Sequence, residues 1–571
     1  MNGLGTSRAT GSGYQMTLGR LLEGMDVAAP HGLQVTDLVQ DSRAATPGSV
    51  FLACQGRTTH GLLHAAAAVE RGAVAVLWEP GADLEAPTLP ERVAAIAIPH
   101  LGRHVGALAD RFFRSPSADL RVAGITGTNG KTTTAYLLAQ AAEFVGRRGW
   151  YVGTLGHGHP GKVQDAGLTT PDAVTVQRRL ATARDAGAAT LGLEVSSHAL
   201  DQDRVAGVHF DTAVFTNLTR DHLDYHGTFE AYGAAKARLF HAAGLRCAVI
   251  NVRDAFGREL VERLDPSIEK IVYTTHNDVW AERGTGWIRV SELRTTAAGL
   301  TIHVATSWGS GMLRSRLVGE FNAENLLAVL GVLLGWNVPL QKALAALALC
   351  VAPPGRMETF GGGTQPLVLV DYAHSPDALS KVLDAARAHT RGKLTCVFGC
   401  GGDRDAGKRP LMGAIAEAGA DVTIVTDDNP RTEESSAIIA QIVAGMREPD
   451  AALVVPDRAE AIRQAIDEAG PGDVVVIAGK GHEDYQIVGT ETRAFSDRET
   501  VLAALRPSPR PSPQPSPAGA GEGAEPSPQP SPARAGEGAE PSPQPSPARA
   551  GEGAEPSPRP SPARAGEGAD A

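Results

Sequence analysis

The chain has 571 residues, with 53 Lys and Arg against 64 Asp and Glu for a net charge of −11. Its 42% hydrophobic and 20% charged residues describe an ordinary globular protein of about three or four domain-sized units, and exclude coiled-coil, collagen-like and wholly disordered classes. The acidic balance argues against a broad nucleic-acid footprint, so any phosphate should be bound locally.

At the N-terminus, Met1 to Met16 is rich in Gly, Ser and Thr and lacks the apolar centre of a signal peptide, and no run of about 18 apolar residues follows. A chain that does not insert into a membrane is expected. The five cysteines, Cys54, Cys247, Cys350, Cys396 and Cys400, are odd in number and mostly scattered, which argues against a disulfide framework and for the reducing cytoplasm. Short apolar strands, Ala73 to Leu77, Arg121 to Ile125, Cys247 to Asn251, Leu367 to Val370, Leu394 to Phe398 and Val474 to Ala478, alternate with Ala-rich amphipathic stretches. That alternation predicts an α/β protein of parallel sheets covered by helices. Ser115-Pro116-Ser117 and the stretch Val351 to Gly355 are the expected boundaries, dividing the folded part into 1–117, 118–353 and 354–505.

After the strand at Arg121 comes Thr126-Gly127-Thr128-Asn129-Gly130-Lys131-Thr132-Thr133-Thr134 and a helical stretch. Gly127 and Gly130 permit close backbone approach, successive amides can surround phosphate oxygens, and the helix N-terminus adds partial positive charge. Lys131 would meet the β- and γ-phosphates and Thr132 would hold Mg²⁺. The strict phosphate-loop pattern wants Gly at 125, where this chain has Ile, so the motif is the variant GxTGTNGKT. Nucleotide binding alone leaves motor, switch, kinase and ligase open.

Further along, Leu193-Glu194-Val195-Ser196-Ser197-His198 stands at an expected strand end, where active sites of parallel sheets lie, and Glu194 could reach a metal near the phosphates. Asn217 to Gly227, NLTRDHLDYHG, packs four possible ligands into six positions, from Asp221 to His226. Zinc is one possibility; beside nucleotide phosphates, hard Mg²⁺ with oxygen ligands is favoured. Capping of the helix that starts near Thr228 is the plain alternative. Cys396 and Cys400 are expected to be small buried residues. From Arg506 the composition shifts to repeats of PSPQPSPARAGEGAE at Pro526, Pro541 and Pro556, predicting a disordered tail for 506–571. A partner ligand or a tolerated extension would both suit it.

TGTNGKTT, EVSSHAL and NLTRDHLDYHG, followed by Ala234-Ala235-Lys236, resemble the Mur ligases of peptidoglycan assembly, over nearly all of residues 37–500. GEFNAEN (319–325), PGRME (354–358), DYAHSPD (371–377), GGDR (401–404), DNPR (428–431) and GKGHE (479–483) sharpen the likeness. The resemblance implies a three-domain α/β architecture: an N-terminal UDP-sugar-binding domain, a central phosphate-loop ATPase domain and a Rossmann-like C-terminal domain. It implies a ligase that activates a carboxylate with ATP as an acyl phosphate, which an amine then attacks. Within the family, the later segments look like the member that adds meso-diaminopimelate to UDP-N-acetylmuramoyl-L-alanyl-D-glutamate. A sister ligase adding L-lysine and a phosphate-loop ATPase switch are the rivals.

The resemblance also implies residues. ATP would be held by Gly127, Thr128, Asn129, Gly130, Lys131, Thr132 and Thr133, with Asn322 and Asn325 near adenine and Arg356, Asp371 and His374 completing the site. Thr132 and Glu194 would serve one Mg²⁺, His222 and Lys236 a second, Lys236 being carbamylated in the family; a plain surface lysine is the alternative. The sugar-peptide would meet Ser42, Thr169, Thr170, Ser196, Gln202 and Arg204, with Leu168 standing where some relatives have Asn. Arg431 would pair with the second carboxylate of the diamino acid, helped by Arg404, while Glu483 and the Gly479 backbone hold its distal ammonium and neighbouring groups; Asp428, Asn429 and Pro430 of the same DNPR segment would also line the substrate. A cytoplasmic monomer acting on small molecules, without nucleic acid, is expected.

Overall fold

The computed structural model describes residues 13–506 apart from 31, 57–58, 82–83, 165–166, 278–284 and 297–298. The Pro-rich repeats expected to be disordered, 507–571, lie outside the described residues.

Three main sheets carry the described chain in sequence order, with helices between the strands. The first is parallel, in the order Asp37–Val39, Ser49–Ala53, Ala75–Trp78, Ala94–Ala97. The helix Leu101–Phe112 turns Leu101, Val105, Leu108, Ala109 and Phe112 inward, a spacing of three and four that makes one apolar stripe. Its Gly106 lies against the Ala206 backbone, where an added Cβ would come 2.1 Å from the carbonyl oxygen, so this helix is pressed directly onto the next part of the chain.

The second sheet has eleven strands, in the order Lys162–Gln164, Gly156–His159, Gly149–Gly153, Thr190–Glu194, Arg121–Thr126, Thr212–Phe215, Cys247–Asn251, Glu269–Thr274, Gly286–Thr296, Gly299–Thr306, Gly309–Ser315. Its middle is parallel as expected, but both ends are antiparallel. Connections such as Gly153 to Gly156 and Thr306 to Gly309 are too short for a parallel crossover. The helix Phe321–Gly335 is apolar and buried almost all round. Gly331 and Gly335 let it lie close on the sheet, since a Cβ at either would stand 2.6 Å from Val249 or 3.0 Å from Cys247.

The third sheet runs Glu358–Gly361, Leu367–Asp371, Val474–Ala478, Leu394–Phe398, Val422–Val425, Leu453–Val454, parallel except for its first strand. A hairpin, Tyr485–Val488 with Glu491–Ala494, follows it. Cys396 and Cys400 are buried, and all five cysteines are free thiols. Among the described residues no helix is long and apolar enough to cross a membrane.

Registers decide what meets at the strand ends. In the second sheet Glu194 pairs with Ile125 and Phe215 with Thr126, so the chain leaves three neighbouring strands at one edge. In the third, Asp371 pairs with Ala478 and Phe398 with Val425, gathering the segments that begin at Tyr372, Gly399, Thr426 and Gly479. Crevices at the carboxyl ends of parallel strands are where ligands of such sheets bind.

Candidate active site

The strand Arg121–Thr126 ends in a turn that only glycine can make. Gly127 has φ of +144° and Gly130 +86°, and Gly130 starts the helix Lys131–Phe144. A Cβ at Gly127 would lie 1.9 Å from Thr216 Oγ1, and one at Gly130 2.4 Å from Asn325 Oδ1. The loop is tied down from the neighbouring strand: Asn217 accepts from the Thr128 amide at 2.8 Å and, through its side chain, from the Asn129 amide at 3.0 Å. Lys131 Nζ donates to the carbonyls of Gly127 and Thr128, at 3.0 and 2.9 Å, and burial holds its ammonium below the ordinary lysine range.

Glu194 is fully buried and gathers the next strand end around itself. It accepts from Thr132 Oγ1 at 2.9 Å, from Thr154 through its amide at 3.0 Å and its hydroxyl at 3.2 Å, and from the Tyr151 hydroxyl in a short bond. Two expected metal ligands, Thr132 and Glu194, are thus in direct contact. Thr154 Oγ1 is 3.0 Å from Thr169 Oγ1, and Thr170 donates to the Glu194 carbonyl at 2.8 Å and accepts from the Ser196 amide. Arg204 donates to the Thr170 carbonyl at 2.9 Å and to Gln202 Oε1 at 2.6 Å. The residues expected to meet the sugar-peptide in this sheet, Thr169, Thr170, Ser196, Gln202 and Arg204, therefore form one network with the phosphate loop. Leu168 beside them is exposed. Tyr151 and Thr154 belong to no motif, and only the fold reveals them.

Lys236, on the helix Phe229–Ala237, is not a surface residue: it is 1% exposed and donates to the same Gly127 carbonyl as Lys131, at 2.8 Å. Burial first, and then the Lys131 charge, push its amine well below the ordinary range. Its Nζ stands 4.4 Å from the Tyr232 ring centre. His222 is half exposed, has φ of +53° and packs edge-on against His198 at 4.8 Å. Among the described residues no three His, Cys, Asp or Glu side chains form a metal-holding group.

Asn322 and Asn325 are buried behind the loop. Asn325 accepts from Thr134 Oγ1 at 3.2 Å and donates to Asn322 Oδ1 at 2.9 Å, and Asn322 donates to the Val318 carbonyl. Through these bonds the pair braces the start of the phosphate-loop helix. Arg356 enters from the third sheet's side, stacked 4.9 Å over Tyr372 and near enough for its charge to act on Lys131; its Nε is buried without a partner. Asp371 is buried, accepts from the Met357 and Ala373 amides, and burial raises its carboxyl above the usual range despite Arg356. His374 is exposed, its Nδ1 2.8 Å from the Tyr372 carbonyl.

At the edge of the third sheet, Arg431 (φ +53°) donates to the Gly402 carbonyl at 2.7 Å, and Arg404 is exposed nearby, across Gly401. Buried Arg409, paired with Glu433 at 2.8 Å, holds the two loops together. Asp428 is buried, with burial raising its carboxyl, and faces Gly479, where a Cβ would stand 2.6 Å from its Oδ2. Asn429, after which Pro430 turns the chain, donates to Glu483 at 3.0 Å. Glu483 also pairs with Lys480 at 2.9 Å, a partner the motif did not announce. Ser42 opens a short turn, capped by Asp41, that follows the first strand of the first sheet, and among the described residues no hydrogen bond links it to the Glu194 network. A cleft of about 370 Å³ runs beside that turn, between Asp37, Gln40, Asp41 and Arg178.

These features fit a triphosphate and a hard cation. The loop keeps its tight turn only with glycines, since side chains there would collide with Thr216 and Asn325, the Thr132 and Glu194 donors are oxygens, and Arg356 Nε lacks a partner among the described residues. Such a site on such sheets defines a phosphate-loop enzyme that assembles one centre from separate layers. Residues 34–113, 125–333 and 355–481 match the families described as "Mur ligase family, catalytic domain", "Mur ligase middle domain" and "Mur ligase, glutamate ligase domain". The chain is 49% identical over 470 residues to the UDP-N-acetylmuramoyl-L-alanyl-D-glutamate--2,6-diaminopimelate ligase of Ectopseudomonas mendocina, covering 82% of this chain and 95% of that one. The enzyme of that name from Chromobacterium violaceum is 49% identical over 483 residues, with 83% and 95% covered. A solved structure of an enzyme so named superposes with a TM-score of 0.63 at 34% identity, covering 86% of this chain and 99% of the other. The chain belongs to the Mur ligase family.

Proposed function

We propose that this enzyme joins meso-diaminopimelate to UDP-N-acetylmuramoyl-L-alanyl-D-glutamate with ATP, forming the UDP-linked tripeptide precursor of peptidoglycan. The observation that carries this is the unbroken hydrogen-bonded path from Thr132 through Glu194 and Thr154 to Thr169 and from the Glu194 carbonyl through Thr170 to Arg204. It supports a carboxylate bound by the second group lying against a γ-phosphate bound by the first. The near identity of name among relatives at 49% supports the same substrates.

In the first step a carboxylate oxygen of the bound peptide attacks the γ-phosphorus and the bond to ADP breaks, leaving an acyl phosphate. In the second the neutral amine of diaminopimelate forms the amide C–N bond, inorganic phosphate leaves and the amine proton passes to solvent or phosphate. Lys131 and the loop amides hold the phosphoryl oxygens as charge shifts between them, and Arg356 would add its unpartnered Nε from the other side. Thr132 and Glu194 would hold Mg²⁺, which when bound supplies charge neutralisation at the phosphates. His222 and Lys236 would hold a second ion, with Lys236 as its carbamate: a buried, neutral amine is the form that adds to CO₂, losing one proton. Arg431 would select the second carboxylate of the diamino acid, and a guanidinium left without it would disfavour lysine by about 1–3 kcal/mol. The domain limits proposed are 1–117, 118–353 and 354–505.

The mass of the product formed from the UDP-dipeptide, ATP and diaminopimelate tests the proposal, with lysine in a parallel reaction. The tripeptide is expected with diaminopimelate; preference for lysine, or ATP hydrolysis without amide product, would overturn it.

A further inference from the structure

The motif Gly479-Lys480-Gly481-His482-Glu483 contains a lysine to which neither the phosphate chemistry nor the amino-acid recognition above gives a role. Lys480 has no solvent exposure. Its Nζ donates to Glu483 Oε2 at 2.9 Å and to Asn429 Oδ1 at 3.2 Å, and stands 5.3 Å from the centre of the Tyr485 ring. The carbonyl oxygen of the Asn429 side chain also accepts from the Ile487 amide at 2.9 Å, while its amide nitrogen donates to Glu483 Oε2 at 3.0 Å. Two residues from different loops, 54 positions apart, are thus held by one buried cation.

That arrangement removes two freedoms. An asparagine amide can flip, exchanging donor for acceptor. With Oδ1 held by two donors, Asn429 must keep its second N–H as a donor. A glutamate at a part-buried site would otherwise be uncompensated. Here Lys480 neutralises it and fixes Oε2, leaving Oε1 as the acceptor without a partner among the described residues.

We infer that Lys480 is a positioning residue for amino-acid selection: it presents an Asn429 N–H and Glu483 Oε1 beside Arg431 as a ready pattern of donor, acceptor and cation for a substrate end carrying both a carboxylate and an ammonium. The inference rests on the proposed function and adds that the lysine touches neither substrate nor phosphate. It separates the amino-acid end from the nucleotide end, so losing Lys480 changes one without the other.

Steady-state kinetics of Lys480→Met test it. The KM for diaminopimelate is expected to rise at least tenfold, with KM for ATP within twofold and kcat within threefold of the parent. Lys480→Gln, which keeps a donor for Asn429 but not the charge, is expected to show a smaller rise and serves if the methionine variant does not fold. An unchanged KM for diaminopimelate in either folded variant, or a parallel loss of ATP affinity and thermal stability, would overturn the assignment. The parent enzyme separates the two ideas: no diaminopimelate adduct from it refutes the reaction, whereas normal ligation with an unmoved KM in the variants refutes only the role of Lys480.

Discussion

Glu194 shows how one carboxylate is made ready by its neighbours. Tyr151 and the Thr154 amide occupy Oε1, which turns Oε2 toward Thr132. Outer partners of a metal-holding carboxylate set its orientation. Tyr151→Phe is therefore expected to weaken divalent-cation binding by about 10–100-fold, read from Mn²⁺ electron paramagnetic resonance titration as well as from the Mg²⁺ dependence of turnover. His482 carries a pH prediction. Burial, and then the Arg356 charge, lower its imidazole to about 4, against about 6.5 in an unfolded chain. As pH falls below about 6.5 the unfolded chain takes up a proton the native ring refuses, so stability present above that pH is lost progressively toward pH 4. The slope from this group is at most about 1.4 kcal/mol per pH unit. Denaturant melts of parent and His482→Gln between pH 7 and 4.5 should show a shallower decline in the variant; parallel curves would contradict the account.

Among the elements, the phosphate-loop helix depends on its first turn and the last described helix on one buried ion pair. Gly130→Ala would place a side chain at φ +86° and 2.4 Å from Asn325. A left-handed alanine alone costs about 1–2 kcal/mol, so calorimetry should find ATP affinity reduced about tenfold or more. Arg458, on the helix Arg458–Asp467, pairs with Asp497 at 2.7 Å with both side chains fully buried. It also donates to the Ala478 and Asp427 carbonyls, beside the strand ends that frame the amino-acid end. Arg458→Met would leave Asp497 buried without its cation, and urea denaturation should show a loss of about 3–5 kcal/mol.

Over the whole molecule, the network of site residues runs over the strand ends of the second and third sheets, which meet where Arg356 and the turn at Gly481 come together. Gly355 and Gly481 lie so close that a Cβ on the first would be 2.2 Å from the backbone of the second. The segment bearing Arg356 and the turn bearing Lys480 and Glu483 therefore touch backbone to backbone. The family matches end at residue 481, before the repeats begin. Truncation after Arg506 is accordingly expected to leave kcat and both KM values within twofold in the ligation assay; a larger fall would give the repeats a role in turnover.

Much of this was legible in the residues. Strands at Arg121, Cys247, Leu394 and Val474 follow from local apolar runs, and the Gly-rich turn with Lys131 and Thr132 follows from backbone freedom and charge, both properties of a few neighbouring residues. What could not be read was anything settled by contact between distant segments. The burial of Lys236 on the Gly127 carbonyl, the use of Asn322 and Asn325 as a brace, the Tyr151 and Thr154 hold on Glu194, and the Lys480 link between Asn429 and Glu483 all arise where strand register brings separate loops together. Sequence determined the chemistry each segment carries; tertiary packing decided which of those groups face one another, because hydrogen bonds and desolvation act over a few ångströms of space and not along the chain.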